Sequence, residues 1–179
     1  MCNKQLFIFL EGNDDERFFE NVVKPLIQER YTMIRFWRYS QRKPEKVADF
    51  IRSINAMNAD YIFSGDLNSA PCITVKKGEI TKKFNQLAEE KIIIVAKEIE
   101  SWYLAGLDEK TSKKLSIRKK IQFTDTISKE DFNRLIPKSM PRIEFMRKIL
   151  DNYDIQMGKQ KNSSFEYFLN KWINEGNGV

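Results

Sequence analysis

The chain has 179 residues, with 31 Lys plus Arg against 25 Asp plus Glu, a formal charge of +6 and no histidine. The length suits one domain of ordinary size, with room for an appendage, and is long enough to bury a core. Without histidine, and with two cysteines, the chain cannot build Ser-His-Asp or Cys-His nucleophile systems or the usual zinc sites, so oxygen ligands and a hard cation such as Mg²⁺, Mn²⁺ or Ca²⁺ are what remain for metal chemistry.

Residues 6–10 (LFIFL) form a continuous apolar run, the pattern of a strand buried on both faces, and Gly12 ends it. Asn13 or Asp14 is placed to cap a helix running through residue 30, with Phe18, Phe19, Val22, Val23, Leu26 and Ile27 at helical spacing. Pro25 is awkward inside that helix and is expected to kink it. Residues 32–39 read as a second strand, Pro44 opens a helix carrying Val47, Phe50, Ile51 and Ile54, and residues 60–64 (DYIFS) make a short third strand before Gly65. Residues 73–90 read as a helix with Ile80, Phe84 and Leu87 on one side, followed by a fourth buried strand at residues 92–96 (IIIVA). Strands separated by helices predict an α/β fold with a mainly parallel central sheet of about four strands flanked by helices.

After Leu107 the composition changes. Residues 108–120 are polar and basic, and beyond them come helical patterns only, at 128–136, 141–153 and 163–173. The expected organisation is an α/β domain over residues 1–107 with a helical C-terminal part, 108–179, packed on it and frayed from residue 174. No apolar run approaches the ~20 residues that span a bilayer. The start of the chain lacks a basic segment followed by an apolar stretch and a cleavage site. A cytoplasmic protein with no membrane partner, its Cys2 and Cys72 free thiols, is therefore expected.

Ligands of parallel sheets gather at the carboxyl ends of the strands. Three of the four expected strands end there in acids: Glu11, followed by Asp14 and Asp15; Asp66 with Asn68; and Glu98 with Glu100. Each taken singly has a plainer use. Asp14 and Asp15 suit a helix start, and Asp66 and Asn68 suit a turn. Converging on one edge, they would repel one another unless a cation or proton sat among them.

FIFLEGNDDERFF, YIFSGDLNSAP and IIIVAKEIESWYLAG, in that order and on those elements, resemble the motifs of TOPRIM domains. The third segment and NSSFEYFLNKW look like small stand-alone TOPRIM-like proteins related to the overcoming-lysogenization-defect nucleases, which accompany ATPases in bacterial defence systems. The resemblance covers most of residues 6–107 and implies a TOPRIM-like fold. It implies Glu11 as metal ligand or general acid/base, Asp66 as metal ligand, Asp15 as the second acid of the nuclease branch, and Glu98 and Glu100 as acids of the last motif. Asn68 stands where the family has its second Asp, which removes a charge from the site.

Together with the strand-end acids, the resemblance implies an Mg²⁺- or Mn²⁺-dependent nuclease acting on DNA or RNA, with Glu11, Asp66 and Glu100 catalytic and Asp15, Asn68 and Glu98 further metal ligands, and with a partner ATPase. Arg35, Arg38, Arg42 and Lys43, then Lys76 and Lys77, then Lys110, Lys113, Lys114, Arg118, Lys119 and Lys120, are the expected phosphate-binding groups. Trp37, Trp102 and Tyr103 are available to stack on bases, though Trp102 also suits a core. Two other readings stand beside this one. The first is a degenerate nucleic-acid-binding or regulatory subunit. The second is a nucleotide-binding phosphotransfer protein, which the chain's lack of a Gly-rich phosphate loop disfavours.

Overall fold

The computed structural model describes residues 4–174; Cys2 and residues 175–179 of the expected frayed end lie outside them. The chain divides into two compact units, one up to Ile94 and one from Val95.

In the first unit, β1 (Gln5–Leu10), β2 (Met33–Arg38), β3 (Asp60–Asp66) and β4 (Ile92–Val95) form an all-parallel sheet in the order β2-β1-β3-β4. The α/β sheet flanked by helices is as expected. The central position of β1 explains its unbroken apolar run: Leu6 to Leu10 are all buried. On one face Phe7, Phe9, Tyr61, Phe63, Ile92 and Ile94 make a core with Val47, Ile51 and Ile54 of α3 (Pro44–Ala56) and Ile80 of α4 (Ile73–Lys83). Because side chains alternate along a strand, Leu6, Ile8, Leu10 and Ile62 are buried on the other face.

Three local differences from the expected elements have physical causes. Gly12, not Asn13 or Asp14, takes the N-cap position of α1 (Asn13–Phe18), and Asp14 pairs with Arg17 at 2.6 Å. The helical stretch to residue 30 is composite: a π turn (Phe19–Val23) intervenes before α2 (Lys24–Ile27), and the stretch closes on a 3₁₀ turn (Gln28–Arg30). Pro25 lacks an N–H and crowds the preceding turn, and the wider π turn just before it accommodates both. Instead of reaching residue 90, α4 stops at Lys83, where Phe84 leaves helical geometry (φ −119°, ψ 89°) and Gln86 is left-handed (φ 83°).

At the amino-terminal edge of the sheet, buried Asp60 accepts from Lys91 Nζ (2.7 Å) and Tyr31 Oη (3.2 Å) and pairs with Lys4 (3.3 Å). Burial alone would push this carboxyl up; the hydrogen bonds and charges of Lys91 and Lys4 outweigh it and hold the group below the usual carboxylate range. A depressed folded value stabilises the fold above the unfolded value and is lost as pH falls through the folded one. Asp60→Asn is therefore expected to lower the urea midpoint at neutral pH, with the gap to wild type closing as pH falls below about 4. A gap independent of pH would show that the charge of Asp60 is not what matters.

The second unit contains α5 (Glu100–Ala105), α6 (Glu109–Lys114), α7 (Lys129–Leu135), α8 (Arg142–Leu150), α9 (Ile155–Lys161) and α10 (Ser163–Leu169). Beyond residue 107, α6 and α9 lie outside the expected helical patterns. Asp108 caps α6 by accepting from Thr111 N (2.6 Å), and Asp154 caps α9 by accepting from Met157 N (2.9 Å). Inside the unit Trp102 packs on Phe165 and Phe168 with ring centroids 5.0 and 5.5 Å away. Its Nε1 donates to Ser164 Oγ (2.8 Å), which donates in turn to Asn162 Oδ1 (2.7 Å). Asn162 Nδ2 donates to Thr124 Oγ1 (3.0 Å) and Ser101 Oγ (3.2 Å), while Asn162 Oδ1 caps α10 through Phe165 N (3.0 Å). The two segments ESWYLAG and NSSFEYF are thus stitched together by one buried polar network. Asn162→Ala removes a cap and leaves several buried hydroxyls short of a partner, so a loss of about 3 kcal/mol is expected by urea unfolding. A loss below about 1 kcal/mol would mean the network relaxes around the gap.

Among the described residues no helix is long and apolar enough to cross a membrane. Cys72 is a free, exposed thiol.

Candidate metal centre

The sheet register fixes the centre of the first unit. Phe9 pairs with Phe63 in parallel strands, so Glu11 emerges beside the Gly65–Asp66 backbone where β1 and β3 end. Glu11 Oε1 accepts from the backbone N–H of Asp66 at 3.2 Å and from Tyr39 Oη at 3.1 Å. At Gly65 a Cβ would press on Ile80 Cδ1 at 2.9 Å, while Tyr39 Oη and Glu11 Oε1 would lie at ordinary contact distances of 3.5 and 3.8 Å.

Tyr39 follows β2 directly. Its N–H donates to Leu10 O (3.0 Å), its ring packs against Phe63 (4.3 Å) and Phe84 (5.4 Å), and its hydroxyl also reaches Ser64 O (3.0 Å). Burial pushes the phenol well above its ordinary value, and the negative charge of Glu11, its hydrogen bond, and the charges of Asp15 and Asp66 push it the same way. Tyr39 therefore stays a hydrogen-bond donor at any working pH. Three carboxylates act on this one hydroxyl. Sequence reasoning misses Tyr39 as a site residue because it applies the strand-end rule to acids alone; its place just after β2 is the available signal.

Asp15, buried in the first turn of α1, turns its Oδ2 back to Gly12 N (3.0 Å). Asn68 sits in left-handed backbone (φ 52°), where Asn and Asp are the best tolerated non-glycine residues, and its Nδ2 donates to Asp66 O (3.4 Å). A carboxylate at residue 68 could not make that donation.

Glu98 and Glu100 lie in the second unit, where both have protein partners. Glu98 Oε2 accepts from Lys129 N (2.6 Å) at the start of α7. Glu100 is buried and pairs with Arg142 Nη2 at 2.6 Å, and Arg142 also donates to Asn133 Oδ1 (2.9 Å) and lies 5.5 Å over the Phe132 ring. Burial raises the Glu100 carboxyl, with the Arg142 charge opposing it.

Among the described residues, no group of three or more Asp, Glu or Cys is gathered closely enough to hold a metal ion. Mg²⁺ keeps several waters and takes as few as one or two protein carboxylates. Glu11 and Asp66 fit that donor set.

The expected phosphate-binding groups divide. Arg38 is engaged by Glu16 (3.1 Å) and Asn13, Lys76 by Glu79 (3.9 Å), and Lys77 reaches Glu89 O (3.4 Å). Arg42 stacks over Trp37 (5.8 Å) and, with Lys43, is exposed. Lys113, Lys114, Arg118, Lys119 and Lys120 are all exposed. Trp102 and Tyr103 are wholly buried, and Trp37 packs on Phe9 and Phe50, so these aromatics belong to cores instead of offering faces to bases.

Scans of family models, of curated proteins and of solved structures returned no match to this chain. The TOPRIM resemblance therefore rests on the motif residues themselves.

Proposed function

We propose that the chain is a divalent-metal-dependent nuclease that hydrolyses DNA or RNA phosphodiesters at the carboxyl edge of the first unit's sheet. The observation that carries this reading is the place of Glu11 beside Asp66 at the carboxyl ends of β1 and β3, its Oε1 held by the Asp66 N–H and the buried Tyr39 hydroxyl. Carboxylates that share a sheet edge repel one another less when a cation sits among them. Glu11 and Asp66 would hold one Mg²⁺ or Mn²⁺, with Asp15 beside them. The ion supplies Lewis-acid polarisation of the phosphate and a more acidic water. Tyr39 and the Asp66 N–H position Glu11 by holding Oε1, which leaves Oε2 for the ligand side. A cytoplasmic setting belongs to the same reading, and the resemblance adds a partner ATPase in a defence system.

A second reading, a catalytically degenerate nucleic-acid-binding or regulatory subunit, is favoured by two observations. Asn68 carries no charge, and Glu100 is already neutralised by Arg142.

Mn²⁺ titration by calorimetry at neutral pH, on wild type and Asp66→Asn, followed by cleavage assays on single- and double-stranded DNA and RNA, separates the two. Metal binding that weakens in the variant, with metal-dependent cleavage, supports the nuclease. Nucleic-acid binding with neither metal uptake nor turnover supports the degenerate reading.

A further inference from the structure

A groove of about 1110 Å³ lies in the second unit, remote in sequence from Glu11 and Asp66. It slightly exceeds the range of drug-sized ligand sites, about 300–1,000 Å³. Its lining carries five cationic side chains, Lys113, Arg118, Lys119, Lys120 and Lys161, against one carboxylate, Glu109. Glu109 and Lys120 are 3.5 Å apart with both side chains more than 70% exposed (73% and 72%), so solvent screens their pairing and the groove stays cationic. Lys161 differs from the rest in being anchored: its Nζ donates to Leu107 O at 2.7 Å, fixing a charge in the groove wall.

One wall is the stretch 117–123, which belongs to no helix or strand. Residues 119–123 line this groove on one side and a second concavity of about 540 Å³ on the other. Phe123 lines both and is 77% exposed, the most exposed large hydrophobic side chain among the described residues. Its neighbours Lys119, Lys120 and Gln122 are exposed too, so charged and polar groups flank the ring, while Ile121 beside it adds apolar surface to both concavities.

We propose that this groove binds single-stranded nucleic acid, with the five cations tracking the phosphate backbone and the exposed Phe123 ring stacking on an unpaired base. Cations alone would serve any polyanion. An aromatic face raised among them selects a ligand that carries flat rings between its charges. A duplex hides those faces in its own stack, and an acidic peptide or anionic membrane has no equivalent to present. The backbone contacts make the binding salt-dependent and largely indifferent to sequence. This site stands whether or not the sheet edge is catalytic.

Fluorescence anisotropy of the full chain in EDTA tests the proposal, because turnover is then suppressed and only binding is read. The probes are labelled oligothymidylate, oligouridylate and a duplex of equal length, with polyglutamate as competitor. Binding of either single strand, weakening steeply with salt, is expected, and comparing the two distinguishes DNA from RNA. Phe123→Ala is expected to weaken it about tenfold. Combined Lys119→Gln and Lys120→Gln is expected to lower the slope of log affinity against log salt by about 1.4, the decrement for two phosphate contacts on a single strand. These positions are exposed, so unchanged melting curves confirm intact variants. Equal or tighter binding of the duplex, displacement by polyglutamate at equal charge, an unaffected Phe123→Ala, or no binding of either single strand would overturn the proposal.

Discussion

Glu11→Gln is expected to reduce Mn²⁺ affinity and metal-dependent cleavage by more than about 100-fold while leaving the fold intact. Outer-shell partners of metal ligands already cost about 10–100-fold when removed, and Glu11 is assigned to the inner shell. The substitution is informative because it is nearly isosteric. The amide carbonyl it introduces would still accept from Tyr39 Oη and from Asp66 N, the two bonds that Oε1 makes now. What disappears is one of the three negative charges acting on Tyr39. With one source of repulsion gone and the hydrogen bonds kept, the melting temperature should hold or rise. A residue with a structural role alone would give the reverse: lower stability and unchanged metal dependence. Wild-type cleavage by Glu11→Gln, with the same Mn²⁺ requirement, would remove Glu11 from the site and the nuclease reading with it. Tyr39→Phe offers a graded companion, since it removes the donor that positions Glu11 but no ligand. Its effect on metal affinity should be smaller, within the 10–100-fold range of outer-shell changes.

How far the sequence was legible depended on the range of the interactions involved. LFIFL and IIIVA were readable as strands because burial on both faces writes itself into consecutive residues, and both are strands. The carboxyl-edge rule pointed to Glu11 and Asp66 because it needs only strand direction and adjacency, and the Glu11 carboxylate does accept from the Asp66 N–H. Tyr39 escaped because its role comes from a hydrogen bond to a residue 28 positions away. Arg142 escaped for the same reason, being 42 positions from Glu100. The third acidic motif shows the cost. From sequence, Glu98 and Glu100 read as acids at a strand end available to a metal, whereas Lys129 N and Arg142 engage them. Local chemistry failed in a different way at Phe84 and Gln86. Apolar spacing continued the helical pattern past Lys83, and the backbone turned regardless. The conspicuous ESWYLAG and NSSFEYF segments gain a physical reason here, as partners in one network around Asn162.

Arg142→Met should cost about 3–5 kcal/mol at neutral pH, because it strands a carboxylate that is 3% exposed. Burial already holds the Glu100 carboxyl above its usual range even with Arg142 beside it. A folded value above the unfolded one favours the fold when the group is protonated, below the ordinary glutamate value near about 4.3, and that advantage is lost as pH rises through the folded value. Without the opposing Arg142 charge the folded value climbs further. The deficit of the variant should therefore be small in acid and widen as pH rises from about 4 to 7. Glu100→Gln in the Arg142→Met background should recover most of the neutral-pH loss, since it removes the stranded charge. Urea midpoints of the single and double variants across that range measure both effects. A deficit that is constant with pH and unrescued by Glu100→Gln would place the role of Arg142 in its packing on Phe132 and its bond to Asn133. The same variants bear on the metal site. If Glu100 serves to hold α8 against α5, Glu100→Gln leaves Mn²⁺ affinity where it was, and the sheet edge works with Glu11 and Asp66. If affinity falls instead, the ion pair with Arg142 must open for function, and Arg142 competes with the metal for the same carboxylate.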